Sequence, residues 1–238
     1  MNNKSIFITA TGTDIGKTYI SALLVKKLRE CNINCGYYKP VLSGAEKKEN
    51  EALYLGDAEY VIKTAGMDCE ADCCVSYAFE EAVSPHLASK RVGKNICLNK
   101  IFEDYNFLSQ KYDFVVVEGA GGITCPFSVE SGLLLPDVIK ALKSSIIIVA
   151  DAGLGTINST ILTVEYAKSK NINIFGIILN NYDESNFMHI DNKDQIEKMT
   201  GINVIATVAN GDVDLRMDKQ IIENMVKVGL WTRGKKKI

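Results

Sequence analysis

Gly16-Lys17-Thr18 is the first place in the chain where residue types and spacing suggest chemistry. A Gly-Lys-Thr that follows an apolar strand and opens a helix presents backbone N–H groups and a helix N-terminus to an anion. In that setting Lys17 reaches the β- and γ-phosphates of a nucleotide, and the Thr18 hydroxyl serves Mg²⁺. The match to the strict pattern (a glycine, four residues, then Gly-Lys-Ser/Thr) is partial. Thr11 stands where the first glycine belongs, and Gly12 comes one position late. A triphosphate also calls for acidic oxygen ligands around its cation. Glu118 is the best marked, because it follows the apolar run Phe114–Val117 and precedes Gly119-Ala120-Gly121-Gly122, where backbone can approach a ligand closely. Lys39, in Tyr38-Lys39-Pro40-Val41-Leu42-Ser43-Gly44, ends a short strand and could stabilise negative charge developing on a substrate. Taken alone it reads more readily as a surface lysine, and Asp57 in Leu55-Gly56-Asp57-Ala58 reads alone as a helix N-cap.

These groups need a scaffold that gathers them. Ser5–Thr9 reads as a first strand, and Ile20, Leu23, Leu24 and Leu28 recur at helical spacing from about Lys17 to Cys31. Gly36–Tyr38 reads as a short second strand. Phe114–Val117, Ile146–Ala150 and Phe175–Leu179 are nearly unbroken apolar runs, the pattern of parallel strands buried on both faces. Helical candidates lie between them, around Ile101–Gln110, Leu135–Leu142 and Ile157–Lys170. Strand and helix in alternation predict an α/β fold, an open and mostly parallel sheet flanked by helices, with ligands beyond the carboxyl ends of the strands. No linker or repeat divides residues 1–238, so a single domain is expected.

Composition narrows the function classes. Hydrophobic residues make up 47% of 238 and charged residues 24%, which excludes a disordered chain. A net charge of −2 gives no whole-protein attraction to nucleic acid or acidic membrane. No apolar run approaches the length that spans a bilayer and no signal-peptide pattern opens the chain, so a cytoplasmic protein is expected. The seven cysteines, with clusters Cys31/Cys35 and Cys69/Cys73/Cys74, lack paired zinc-ribbon spacing. His86 and His189 lie far from both clusters, and reduced packing thiols are the expectation. Ala45–Glu51 reads as a solvated loop or helix start, and Gly234–Ile238 as a frayed basic tail.

The order and spacing of several motifs together resemble the dethiobiotin synthetases of biotin biosynthesis. Those motifs are Thr13–Thr18, Tyr38–Gly44, Asp57, Ala82-Val83-Ser84-Pro85-His86, Val117–Gly122, Leu154–Asn158 and Leu179-Asn180-Asn181. The resemblance runs from about Ile6 to Asn181 and implies a P-loop NTPase fold. It also implies ATP- and Mg²⁺-dependent carboxylation and ring closure of 7,8-diaminopelargonic acid with CO₂ or bicarbonate, by way of a carbamate and a carbamic-phosphoric anhydride. By that resemblance Lys39 and Lys17 are catalytic, and Thr18, Asp57 and Glu118 hold the metal. Ser43, Thr11, Gly155, Thr156 and Asn158 bind substrate, the last three across a homodimer interface. The nucleotide falls to Thr13, Asp14, Ile15, Gly16, Lys17, Thr18, Tyr19, Asp57, Glu118, Gly119, Ala120, Gly121, Asn180, Asn181 and Ala209, with Asn180 reading adenine. The partners implied are small molecules, with no nucleic acid and no membrane. Three departures stand out: Ala10 in place of a first glycine, so that position must avoid positive φ; Asp14 in place of Glu; and Ala209 in place of a proline.

Two other readings share parts of this pattern. A nucleotide-gated switch of the partition or division type would bring an extra lysine early in the phosphate loop, and positions 10–16 have none. An amidotransferase-type ligase would need a glutamine-hydrolysing domain, for which the chain is short.

Overall fold

The computed structural model describes residues 5–47 and 52–228. Among these residues seven strands form one sheet: β1 (Ser5–Ala10), β2 (Cys35–Ser43), β3 (Val75–Phe79), β4 (Phe114–Glu118), β5 (Ser145–Asp151), β6 (Ile174–Asn180) and β7 (Val204–Val208). Their order is β7-β6-β5-β1-β4-β2-β3, and every neighbouring pair is parallel. The helices are α1 (Lys17–Glu30), α2 (Gly56–Ala65), α3 (Pro85–Val92), α4 (Leu98–Ser109), α5 (Leu135–Ala141), α6 (Thr156–Ser169), α7 (Phe187–Thr200) and α8 (Lys219–Val228). The expected open α/β sheet is present, with β1 at its centre.

The central strands are apolar on both faces because both faces are covered. Phe114 to Val117 and Ile146 to Ala150 have no accessible surface, and burying each such side chain stabilises the fold by about 1.5–3 kcal/mol. On α1 the buried residues Ile20, Leu23, Leu24 and Leu28 form the stripe seen in the sequence, while Lys27 and Arg29 complement the carbonyl end of the last turn. α4, α5 and α6 fall within a few residues of their expected bounds.

The second strand departs from expectation. It runs nine residues, so Lys39 sits in mid-strand rather than at its end. Pro40 misleads here, since proline usually closes a strand. The pairing of β2 with β4 ends at Tyr38 opposite Val117, so the missing N–H of Pro40 falls beyond that ladder. The strand continues on β3 alone, with Lys39 opposite Val75 and Ser43 opposite Phe79. Glu46–Lys47 is also extended, pairing antiparallel with Leu53–Tyr54, where a solvated loop or helix start was expected. Residues 48–51 and the basic tail at 234–238 lie outside the described residues. Among the described residues no helix is long and apolar enough to cross a membrane.

Candidate active site

The loop between β1 and α1 turns on two residues of positive φ, Asp14 (59°) and Gly16 (93°). Gly16 is required twice over. It occupies the left-handed region, and a Cβ built there would lie 2.3 Å from Asn180 Nδ2. That amide, at the end of β6, donates to Ile15 O at 3.0 Å and holds the loop from behind. Lys17 Nζ donates to Gly12 O at 3.2 Å, folding over the loop it serves. Ala10 keeps an ordinary strand conformation as the last residue of β1, and Thr11 N donates to Val149 O at 3.0 Å. The phosphate loop is thus tied to the two strands flanking it on the β5 side.

On the other side lies a compact set of charges. With Tyr38 paired to Val117, the register brings Lys39 level with Glu118. Lys39 Nζ donates to Glu118 Oε1 at 2.6 Å and meets Asp57 Oδ2 at 2.5 Å. Thr18 Oγ1 donates to the same Glu118 oxygen at 2.7 Å, and the Tyr37 hydroxyl donates to Oε2 at 2.7 Å. Glu118 is fully buried and Lys39 is 5% exposed. Asp57 is half-buried in the first turn of α2; it makes no side-chain cap there and faces the lysine instead. The surface-lysine and N-cap alternatives are therefore not what Lys39 and Asp57 adopt.

Burial and charge compete at both lysines. Desolvation pulls Lys39 down, but Glu118 and Asp57 together outweigh it and hold the ammonium above its ordinary value. At Lys17 desolvation wins: Glu118 draws the value up, Lys39 pushes it down, and the net shift is downward. Burial, reinforced by the Glu118 charge, pushes the Tyr37 hydroxyl well up, so it stays protonated and donates.

Thr18, Glu118 and Asp57 are all oxygen donors brought to one point, and that donor set fits Mg²⁺. Among the described residues no three His, Cys, Asp or Glu side chains gather as a metal cage. A Mg²⁺ ion held by a hydroxyl, one or two carboxylates and phosphate oxygens needs none.

The remaining expected residues divide into three groups. Ser43 ends β2 on the Lys39 side, followed by Gly44 at φ 82°. Gly119 packs inward: its N–H donates to Ile8 O at 2.9 Å, and a Cβ there would come within 2.9 Å of Phe7 Cε1. Gly121 supplies a positive φ of 60° after buried Ala120, with Thr13 nearby. On the β6–β7 side Asn181, Thr207, Ala209, Asp212 and Arg216 line a pocket of about 370 Å³. Tyr19 reaches that side through its hydroxyl, which donates to Asp212 O, and Ala209 N donates to Asp212 Oδ2 at 2.9 Å. Gly155, Thr156 and Asn158 are not brought to the Lys39 cluster within the chain. They start α6 after β5, across β1 from it, and the Thr156 hydroxyl meets Thr160 of its own helix at 3.4 Å. Asn158 is exposed, and nearby Leu154 is 93% exposed.

Tyr37 and Asp212 were not among the expected site residues. The period of two along β2 points Tyr37 to the face of Lys39, a readable signal. Asp212 accepts through both its backbone oxygen and its carboxylate and lies beyond any motif.

A family model described as an AAA domain matches residues 4–213. A protein named ATP-dependent dethiobiotin synthetase BioD, from a type E strain of Clostridium botulinum, is 52% identical over 214 residues, covering 89% of this chain and 94% of that protein. One of the same name from a type B strain is 54% identical over 202 residues, covering 84% of this chain and 88% of that protein. Among solved structures, a ParA family ATPase from Chlorobium tepidum TLS overlays with a TM-score of 0.52 at 14% identity, covering 96% of this chain and 90% of that one. The cell division protein FtsY of Thermotoga maritima overlays at 0.53 and 16% identity, covering 95% of this chain and 68% of that one. At such identities the structural likeness speaks for the fold alone, which is of the P-loop NTPase type.

Proposed function

This chain belongs to the ATP-dependent dethiobiotin synthetase family, and from that premise we propose that it closes the ureido ring of dethiobiotin from 7,8-diaminopelargonate, CO₂ and ATP. It is a cyclo-ligase, and ATP is its co-substrate. One amine of the substrate attacks CO₂ and loses a proton, giving a carbamate. A carbamate oxygen attacks the γ-phosphorus and ADP leaves, giving the mixed anhydride. The second amine then attacks the carbonyl carbon, phosphate leaves, and the cyclic urea forms.

Every anionic species in that sequence needs fixed positive charge, and the reading rests above all on Lys39. It is a buried ammonium, kept charged by two carboxylates, one of them Glu118 at the end of the strand next to the phosphate loop's own. An ammonium that needs no reorganisation during reaction is suited to anionic transition states. Lys17 would neutralise the β- and γ-phosphates, and Ser43 would hydrogen-bond the substrate near its amines. Thr18, Asp57 and Glu118 would hold Mg²⁺, which supplies charge neutralisation to the triphosphate. Asn180 Oδ1 is buried with no protein partner among the described residues, leaving an acceptor for the adenine amino group. The start of α6, where Gly155 and Asn158 are exposed and Thr156 is buried, would receive the substrate carboxylate from the other subunit of a cytoplasmic homodimer. Its distance across β1 from Lys39 and the bare Leu154 support that reading.

The test is to incubate the protein with ATP, Mg²⁺, bicarbonate and diaminopelargonate and to follow the urea by mass spectrometry. One ADP per dethiobiotin is expected. ADP formed without urea would overturn the proposal and favour the nucleotide-gated switch.

A further inference from the structure

All seven cysteines are free thiols, and two of them, just ahead of β3, approach each other. Cys69 Sγ and Cys74 Sγ are 3.9 Å apart. Cys74 is fully buried and closes a short 3-10 turn, Ala71–Cys74, that leads directly into β3. Cys69 is half-exposed and precedes that turn without regular structure, so it is the member free to move. Two cations are anchored beside it. Arg29 Nη2 donates to Gly66 O and Lys111 Nζ to Asp68 O, each at 3.2 Å. Lys111 also lies 5.6 Å from the centre of the Tyr112 ring.

We propose that Cys69 and Cys74 form an oxidisable thiol pair, with Cys69 the nucleophile toward peroxide and Cys74 the resolving thiol. The chemistry needs only hydrogen peroxide. The Cys69 thiolate attacks one peroxide oxygen, the O–O bond breaks, and the departing hydroxide takes a proton to become water. Cys69 is then a sulfenic acid. Cys74 sulfur attacks Cys69 Sγ, the S–O bond breaks, and the Cys74 proton leaves with the hydroxide as a second water. Each sulfur has lost one electron and the peroxide has gained two. Closing the gap to the usual S–S length of about 2.05 Å asks for movement of under ~2 Å, within reach of a side-chain rotation and the irregular backbone at Cys69.

The electrostatics agree with this assignment of roles. The hydrogen bond from Cys74 draws the Cys69 thiol down to about 6 against the opposing effect of burial, helped by the Tyr112 hydroxyl, Lys111 and Arg29. The bond to Cys69 and burial push Cys74 up, so it keeps its proton until it resolves the sulfenic acid. The thiolate is thus favoured at Cys69 over an ordinary thiol, which near 8.5 is ionised only to a few per cent at neutral pH.

Two measurements on the reduced full-length protein test the pair. Brief iodoacetamide labelling at pH 7, mapped by peptide mass, should modify Cys69 several-fold faster than the exposed Cys31 and Cys97. Stoichiometric hydrogen peroxide should produce a Cys69–Cys74 disulfide, two hydrogens lighter and reversed by dithiothreitol. Cys74→Ser should instead leave Cys69 as a sulfenic acid that dimedone captures, and Cys69→Ser should leave Cys74 reduced. Both measurements on the unmodified sequence stand even if a variant fails to fold. Labelling of Cys69 no faster than Cys31 and Cys97, or peroxide-formed disulfides that map to other pairs, would overturn the proposal.

Discussion

The two flanks of the phosphate loop meet charge in opposite ways. On the β4–β2 side every buried ionic group has partners within the chain: Glu118 receives Thr18, Tyr37 and Lys39, and Lys39 also holds Asp57. On the β5–α6 side Gly155, Thr156 and Asn158 bond only locally or face solvent, beside a bare Leu154. A closed charge network fixes geometry before any ligand arrives, whereas an open helix start leaves its donors for something outside the chain. The first flank should couple activity to folding, and the second should not.

The largest break in that contrast should come from Lys39→Ala. It leaves Glu118 buried without its ammonium, a loss of about 3–5 kcal/mol in stability, and it should remove turnover by roughly 10²–10³-fold. Denaturant unfolding and steady-state urea formation check the two effects. If the variant forms dethiobiotin at the normal rate, Lys39 is not catalytic. Gly16→Ala comes next. Its backbone sits at φ 93° and its new methyl would meet Asn180, so ATP binding by calorimetry should fall at least tenfold and the loop should lose about 1–2 kcal/mol. Tyr37→Phe removes one bond to a carboxylate, worth about 1.5–3 kcal/mol. It should raise the Mg²⁺ concentration for half-maximal activity while ATP still binds. Asn158→Ala, on the open flank, should raise KM for the diamine several-fold with kcat nearly kept and with stability within about 0.5 kcal/mol.

Protons separate the two lysines. Lys39 is raised in the folded state, so its contribution to stability is complete below the ordinary lysine value of about 10.4. That contribution fades only as pH climbs through the higher folded value. Lys17 is lowered, so in the free protein its buried charge weighs against folding, and the penalty lifts as pH rises through its folded value. Phosphate should restore its proton. Calorimetry of ATP binding at rising pH, in buffers of different ionisation enthalpy, should therefore show proton uptake that sets in below the ordinary lysine range, and Lys17→Met should abolish it.

Much of this was legible because it was local. The apolar runs of β1, β4, β5 and β6 and the stripe on α1 are dictated by burial on two faces. Glu118 follows from a strand ending at the ligand rim. The edge strands β3 and β7 were not visible, since each is only partly covered and mixes polar with apolar residues, Ser76 and Tyr77 in one and Thr207 in the other. Asp57 owes its role to a lysine eighteen residues earlier in the chain. That pairing depends on where α2 begins relative to β2, and only the folded chain sets it. Tyr37 was written plainly in the alternation of β2 but was masked by its apolar surroundings.

The ion pairs of Lys39 carry one last implication. Two acids aimed at a common spot repel each other while a chain is still collapsing, before nucleotide can help. Here a tethered ammonium sits between them from the outset. The two carboxylates are thereby kept side by side by a charge the chain itself carries, so neither faces an uncompensated like charge.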